Sequence, residues 1–156
     1  MVIFRKRVAG LSQSALERFV TRAKRAARLR GAVQVMLAGS GELRRLNRRF
    51  RGKDRATDVL SFPANGASGE VAGDIAVSTE IAAAQARRLG HTAAEEIKIL
   101  VLHGVLHLAG YDHERDGGAM AAEELRLRKA MGLPVGLIER GRRARGRSSG
   151  SARRSR

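Results

Sequence analysis

Residues 103–113 read HGVLHLAGYDH, and they place three histidines at a spacing that can surround one metal ion. Residues four apart lie on one face of a helix, so His103 and His107 can both point at a single ion. Gly110 follows, and a residue that tolerates positive φ at this point can end the helix and bring His113 to the same ion. The segment therefore predicts a His₃ metal site built from a histidine-bearing helix and the turn after it.

Three protein ligands leave a fourth tetrahedral position open, as in catalytic zinc sites, whereas structural zinc sites usually have four ligands, often thiolates. The chain has no cysteine, and three of its four histidines lie in this segment. The alternative is that His103 and His107 are ordinary core histidines of the apolar helix 97–108. We expect one Zn²⁺ ion per chain from the type of ligand, although histidines also bind other divalent ions.

The same spacing occurs in metzincin proteases, which carry a glutamate general base directly after the first ligand. Here that position is Gly104, so the chain lacks the proton acceptor of that mechanism. A metzincin-like metallohydrolase of peptides or amides stays an alternative that this glycine disfavours.

The charge of the chain indicates a polyanionic partner, because 31 Lys and Arg stand against 15 Asp and Glu, a net charge of +16. Residues 140–156 contain eight arginines and no acid, in a context of Gly and Ser that cannot form a core. We therefore expect one folded domain over 1–138 and a disordered tail over 139–156. The remaining positive charge is concentrated in 22–30 and 44–55; solvated helix faces are the ordinary explanation for the first of these.

Other features of the sequence bear on how the protein could bind RNA and on its cellular location. Aromatic residues make up 3% of the chain, which argues against recognition of single-stranded RNA by a platform of stacked aromatic side chains. No apolar run approaches the ~20 residues of a membrane span, and the N-terminus lacks the features of a signal peptide. With no cysteine, the chain is compatible with a reducing compartment. We expect a cytoplasmic protein without a membrane partner.

Hydrophobic periodicity predicts strands at 2–8, 33–37, 58–62 and around 71–77. Capping signals predict five helices: one from Ser12 or Ser14 to about 29, 42–50 after a Ser40 cap, one to 89 after Ser78 or Thr79, the histidine helix after a Thr92–Glu95 capping box, and 123–131. Strands and helices do not alternate strictly, so we expect an α+β domain. Its small mixed sheet of about four strands would carry packed helices and a metal cleft.

Three motifs in order relate the chain to a known family: NRRFRGKDRATDVLSFP at residues 47–63, GDIAVS at 73–78 and the histidine segment at 103–113. Through them, residues 33–131 resemble the YbeY endoribonucleases. The resemblance implies a single-strand-directed, metal-dependent endoribonuclease that acts in rRNA maturation, including the 3′ end of small-subunit rRNA, and in ribosome quality control. Its partners would be rRNA and ribosomal particles.

The resemblance also implies roles for particular residues: His103, His107 and His113 as zinc ligands, and Arg51 as the functional arginine facing the metal cleft. A guanidinium can donate a bidentate pair of hydrogen bonds to a phosphate. Lys53 and Arg55, in the same basic loop, would position the substrate.

Two acidic residues have alternative roles. Asp112 either fixes the tautomer of a ligating imidazole or caps the turn. Asp74 either lies in the cleft or forms an Asx turn. Asn47 and Asp58 are expected to tie the basic loop to the sheet, and His91, in a turn between helices, is expected to be exposed.

Two routes of RNA cleavage fit these residues. Zinc hydroxide can attack the phosphate and leave a 5′ phosphate, or the 2′-OH of the RNA can attack and leave a 2′,3′-cyclic phosphate. A non-catalytic alternative is a zinc-containing ribosome assembly or RNA-binding factor, which would bind RNA with steep salt dependence and show no turnover.

Overall fold

The computed structural model describes residues 1–64, 69–112 and 115–135. Over these residues the elements are β1 (Val2–Phe4), α1 (Gln13–Ala27), β2 (Ala32–Ala38), α2 (Ser40–Arg51), β3 (Val59–Pro63), β4 (Val71–Ser78), α3 (Thr79–Leu89), α4 (Ala93–Leu108) and α5 (Ala119–Ala130). The predicted α+β class is confirmed. The predicted tail, 139–156, lies outside the described residues, so the division into a domain and a tail stays a prediction.

The four strands form one mixed sheet in the order β1-β2-β4-β3. β1, β2 and β4 are parallel, and β3 is an edge strand antiparallel to β4 with Ser61 opposite Ile75. The Ala64 N–H donates to the Ala72 carbonyl, and the Ser78 N–H donates to the Asp58 carbonyl. In an antiparallel pair alternate residues point their backbone groups at the partner strand, so Ser61 directs its N–H and C=O away from β4.

One face of the sheet carries the main core, where Ile75 of β4 packs with Val35 of β2 and with apolar residues of α1, α4 and α5. The capping box at the start of α4 is confirmed: the Thr92 hydroxyl accepts from the Glu95 N–H at 3.1 Å, and the Glu95 carboxylate accepts from the Thr92 N–H at 2.9 Å. α4 contacts α1, α3, α5, β3 and β4, so it is buried for most of its length. No helix of the described residues is long and apolar enough to cross a membrane.

The opposite face of the sheet carries a smaller apolar cluster below α2. Leu43 of α2 packs there with buried residues of the strands, Ala38, Leu60 and Ala76, and Phe62 packs against them. Side chains alternate between the two faces along a strand. Therefore α2 and α4 lie on opposite sides of the sheet, and β3 is the edge strand between these two sides.

Several predicted boundaries differ from the structure, and particular contacts explain three of these differences. β1 ends at Phe4 because Val8 forms only an isolated bridge with Leu11. α5 starts at Ala119, earlier than predicted, because the Asp116 carboxylate accepts the N–H groups of Gly118 and Met120 at the start of the helix.

The third difference concerns α2, whose N-cap is Gly39. Ser40 lies inside the helix, and its N–H and hydroxyl both donate to Oε1 of Glu80 at 2.7 Å. A contact 40 residues away along the chain therefore replaces the local cap that Ser40 was expected to provide.

The expectation that His91 is exposed is wrong. Its side chain is 4% exposed and that of Glu96 is 5% exposed, and Nε2 of His91 lies 2.6 Å from Oε1 of Glu96. The turn between α3 and α4 folds the imidazole inward onto the first turn of α4, where the carboxylate is its polar partner.

Candidate active site

His103 and His107 lie one turn apart near the C-terminal end of α4. Their ring centroids are 4.8 Å apart with an interplanar angle of 74°. Both residues are partly exposed, whereas Leu102, Gly104 and Leu106 beside them are buried. The helix thus brings together two of the three predicted ligands at a surface that a substrate can reach.

The chain turns directly after these histidines. Gly110 has φ +106°, its N–H donates to the His107 carbonyl at 3.0 Å, and the Tyr111 N–H donates to the Leu106 carbonyl at 3.1 Å. The prediction that a glycine with positive φ follows the end of the helix and turns the chain is confirmed. His113, the predicted third ligand, lies outside the described residues, and among those described no group of three His, Cys, Asp or Glu side chains could hold a metal ion.

A carboxylate that the sequence analysis missed holds the first histidine. Nδ1 of His103 lies 2.8 Å from Oε1 of Glu124 in α5, and Nη1 of Arg128 lies 3.8 Å from the other oxygen of that carboxylate. The guanidinium is itself fixed, because its Nε donates to the Pro134 carbonyl at 2.8 Å. The pattern of α5 alone could not show which of its adjacent glutamates, Glu123 or Glu124, faces α4.

This contact fits a metal-ligating histidine. When Nδ1 donates its proton to a carboxylate, Nε2 carries the lone pair that a metal ion accepts, and the ring is held in one orientation. Neutral imidazoles are ligands that zinc prefers. His103 and His107 are therefore chemically suited to be two of the ligands of a zinc ion, with Glu124 as the carboxylate that orients the first of them.

Gly104 lies where α4 meets the sheet most closely. A Cβ atom there would lie 2.9 Å from Cδ1 of Ile75 and 3.0 Å from Oγ of Ser61. At the position where a protease would carry its glutamate base, even a methyl group would thus require the side chains of Ile75 and Ser61 to shift. Close packing therefore disfavours a larger side chain at position 104, which adds to the case against a metzincin-like mechanism.

Arg51, at the end of α2, reaches the edge strand that packs on Gly104. Its Nη2 donates to the Ser61 carbonyl at 2.8 Å, and its Cζ lies 5.9 Å from the centroid of the Phe62 ring. The Ser61 hydroxyl lies 3.5 Å from the Gly104 carbonyl, in the helix turn that carries His103. Ser61 therefore links Arg51 on one side of the sheet to the histidine helix on the other.

Hydrogen bonds tie the loop after Arg51 to the fold, while its basic side chains are exposed to solvent. The buried amide of Asn47 donates to the Arg55 carbonyl at 3.0 Å, as expected for a residue that ties the loop to the fold. Arg44 holds Asp54 with two hydrogen bonds, at 2.7 and 3.2 Å, and keeps the pKa of that carboxyl below its usual range. Lys53 and Arg55 are exposed, in positions to meet a polyanion.

The other residue tied to this loop is Asp58, whose carboxylate accepts from Nε2 of Gln85 at 3.2 Å. Its carbonyl also accepts the Ser78 N–H, which joins the end of the loop to β4. Both contacts fit the expectation that Asp58 ties the basic loop to the sheet.

The two acidic candidates, Asp112 and Asp74, lie on different parts of the fold. Asp112 follows the α4 turn; its carbonyl accepts the N–H groups of Arg115 and Asp116, and its carboxylate lies 3.6 Å from Nε of Arg115. Asp74 is an exposed residue within β4, on the same face as Ala76 and Phe62 and opposite to α4. That face does not favour a contact with the histidines, and the carboxylate that meets His103 is Glu124.

Basic side chains continue along α2 away from the histidines. A surface depression of about 390 Å³ is lined by Gly41, Arg44, Arg45, Arg48 and Asp54. Arg44 is paired with Asp54, whereas Arg45 and Arg48 extend the positive surface of the 51–55 loop along one helix, where they can contact phosphates of a nucleic acid.

Comparisons with known proteins agree with these features. A family model described as Endoribonuclease YbeY matches residues 3–132. A protein named Endoribonuclease YbeY from Koribacter versatilis (strain Ellin345) is 59% identical over 140 residues, which cover 90% of this chain and 91% of that protein. One of the same name from Solibacter usitatus (strain Ellin6076) is 52% identical over 139 residues, covering 89% and 92%.

A solved structure has a related fold. The solution structure of TM1509 from Thermotoga maritima superposes with a TM-score of 0.57 at 28% identity and covers 99% of this chain and 100% of that one. The family match includes the basic loop and the histidine segment, and it ends before the arginine-rich tail.

Proposed function

The chain belongs to the endoribonuclease YbeY family, and we propose that it is a single-strand-directed, zinc-dependent endoribonuclease of rRNA maturation. Its substrates would be rRNA, including the 3′ end of small-subunit rRNA, and ribosomal particles in the cytoplasm. The observation that carries the proposal is the arrangement of two histidines, one held by Glu124, on the helix against which β3 packs, the edge strand whose Ser61 carbonyl is held by Arg51.

His103 and His107 would hold the ion, with His113 as the third ligand. When bound, zinc would stabilise, as a Lewis acid, the negative charge that develops on the phosphate oxygens and would favour deprotonation of water at neutral pH. Glu124 would keep the His103 ring in the orientation and tautomer that ligation needs. A fixed ring limits the reorganisation that the site must undergo when RNA arrives.

Arg51 would position the scissile phosphate. One of its five N–H donors is used by the Ser61 carbonyl, which fixes the guanidinium at the edge of β3. The remaining donors can meet the non-bridging oxygens of a phosphate, whose charge grows in the transition state. Lys53 and Arg55 would hold flanking phosphates from the exposed side of the loop.

Both routes of attack fit this assignment. A water molecule or the 2′-OH of the RNA can be the nucleophile, since neither route needs a carboxylate base at position 104. Replacing the nucleotide 5′ to the cleaved bond with its deoxy form separates them, because only the second route requires the hydroxyl. Analysis of the product ends as 5′ phosphate or 2′,3′-cyclic phosphate gives an independent answer.

The first experiment compares the full chain with His107→Ala on a labelled single-stranded rRNA fragment, with metal content measured on both proteins by mass spectrometry. We expect cleavage and bound zinc to be lost together, while circular dichroism and RNA affinity stay close to those of the parent. Thr21→Ala, at an exposed position of α1, is the control.

Equal RNA binding by both proteins, with no cleavage by either under varied divalent ions, would favour the non-catalytic RNA-binding factor. Retained cleavage by a metal-free variant would contradict the role of the ion. Cleavage of peptides or amides by the parent alone would favour the metallohydrolase alternative, which the packing of Gly104 argues against.

A further inference from the structure

Phe50 is one of the few large apolar residues that are exposed to solvent in the described part of the chain. Its side chain lies in the last turn of α2 and is 58% exposed; the other large exposed apolar residues in the described part of the chain are Met1 and Val71. Leaving an aromatic ring in water forgoes the gain of burying it. A ring that remains outside the core next to Arg51, the proposed phosphate-binding residue, is therefore a candidate for contact with a ligand.

The surroundings of this ring are aromatic and cationic. Phe50 meets Phe62 edge to face, with centroids 5.4 Å apart and an interplanar angle of 62°. The Cζ of Arg49 lies 5.2 Å from the Phe50 centroid, and that of Arg51 lies 5.9 Å from the Phe62 centroid. Phe62 is anchored in the small apolar cluster below α2. We refer to Phe50 and Phe62 as the two-ring platform.

We propose that the two-ring platform binds one base of single-stranded RNA by stacking on Phe50, next to the phosphate held by Arg51. Every base offers a π face, and stacking on aromatic side chains within a positively charged groove is a common way to bind single strands. The proposal rests on the proposed RNA substrate, and it adds a base-binding residue to a site otherwise described through phosphate contacts.

The positive charge around Phe50 favours a nucleotide over an apolar protein segment as the bound partner. Arg48, Arg49 and Arg51 occupy the last turn of α2 around Phe50, and Lys53 and Arg55 follow in the exposed loop. A base with its negative phosphate matches an aromatic ring surrounded by cations, whereas an apolar protein segment would have to remove those cations from water. The low aromatic content of the chain excludes a long row of rings, but the two-ring platform needs only this pair.

Arg51 connects the platform to the proposed site of cleavage. Its guanidinium lies near the Phe62 ring and is hydrogen-bonded to the Ser61 carbonyl, in the strand that packs on Gly104. A nucleotide stacked on Phe50 would thus present its neighbouring phosphate to an arginine that is already fixed. The platform would determine which phosphate of a flexible strand lies at Arg51.

The chain has no tryptophan, so a single introduced indole reports on stacking directly. Phe50→Trp in the full chain is titrated with a single-stranded oligoribonucleotide and with one of the same length that has abasic sites. We expect the base-containing strand to quench the fluorescence and the abasic strand to quench it far less. Thr21→Trp, exposed on α1 among Arg18, Arg22 and Arg25, is the matched control and should respond equally to both strands.

Substitutions at the same position separate the aromatic face from bulk. Phe50→Tyr should keep RNA affinity, and Phe50→Leu should weaken it by about tenfold, raising KM for cleavage more than it lowers kcat. Equal quenching by base-containing and abasic strands, or equal affinity of Phe50→Leu and Phe50→Tyr, would overturn the proposal. Selective quenching without any cleavage would support the platform and count against the nuclease, so the two proposals can fail separately.

Discussion

Nδ1 of His103 lies 2.8 Å from Oε1 of Glu124, so a residue of α5 holds the ring of the first predicted ligand on α4. The two residues are 21 positions apart, with the turn at Gly110 between them. The last helix is therefore part of the site even though it lies beyond the histidine segment.

Glu124→Gln should weaken zinc binding by about 10- to 100-fold, because the His103 ring loses the carboxylate that fixes its tautomer. The measurement is a competitive titration with a zinc-binding dye. Glu123→Gln is the matched control, since that carboxylate pairs with Arg126 and should leave zinc affinity unchanged. Equal affinities of the two variants would show that Glu124 does not support the metal site.

Gly104→Ala should destabilise the fold by about 1–3 kcal/mol, because the added methyl group meets Ile75 and Ser61 at contact distances that a packed core does not allow. Chemical denaturation measures the difference. Gly41→Ala is the control: it lies in α2 with only the end of Arg45 near its added Cβ, and it should be neutral or slightly stabilising. Similar stabilities of the two variants would contradict the close packing of α4 on the sheet.

Arg51→Lys should lower kcat about 100-fold, since a lysine keeps the charge but cannot hold the Ser61 carbonyl and donate a pair of hydrogen bonds to phosphate. RNA affinity should change little because the charge is retained. Arg45→Lys, on the same helix, should leave cleavage close to that of the parent. If both variants cleave normally, Arg51 has no role beyond its charge.

Glu80 should make stability depend on pH. The Ser40 N–H and hydroxyl donate to its carboxylate and hold the pKa of Glu80 below its usual range. A lowered pKa contributes stability above the unfolded pKa, and that contribution is lost as the pH falls through the folded pKa. Glu80→Gln should thus be less stable than the parent at neutral pH, and the gap should close in acid. Urea unfolding across this range, with Ser40→Ala to remove the hydroxyl, tests the assignment; a constant gap contradicts it.

The buried pair of His91 and Glu96 predicts strong coupling. Removing one partner leaves the other buried alone, so His91→Leu should cost about 3 kcal/mol or more of stability. Replacing both with leucine should cost less than the sum of the single changes. A double-mutant cycle measured by denaturation tests this, and additive effects would show that the two side chains do not interact.

Sequence alone was sufficient where a feature depends on neighbouring residues. The Thr92–Glu95 capping box and the turn at Gly110 both follow from interactions within a few positions, and both are confirmed. The pairing of His103 with Glu124 depends on how α5 packs on α4, which no local pattern encodes.

The same limit explains the errors. Ser40 has the chemistry of an N-cap, but its N–H and hydroxyl both donate to Glu80 of α3, and the N-cap lies one residue earlier, at Gly39. His91 lies in a turn that contains Gly90, which suggests exposure, yet Glu96 on the next helix draws the ring inward. Glu80 is 40 residues from Ser40, and although Glu96 is only five residues from His91, their contact depends on how the turn between α3 and α4 folds.

The position of Ser61 has a further consequence. β3 is an edge strand, and the outward-facing backbone groups of an edge can pair with a strand of another molecule. Arg51 occupies the Ser61 carbonyl, in the middle of this short strand, and places a positive charge over it. One outward-facing acceptor of this edge is therefore already used within the chain, and the positive charge beside it opposes the approach of a second strand.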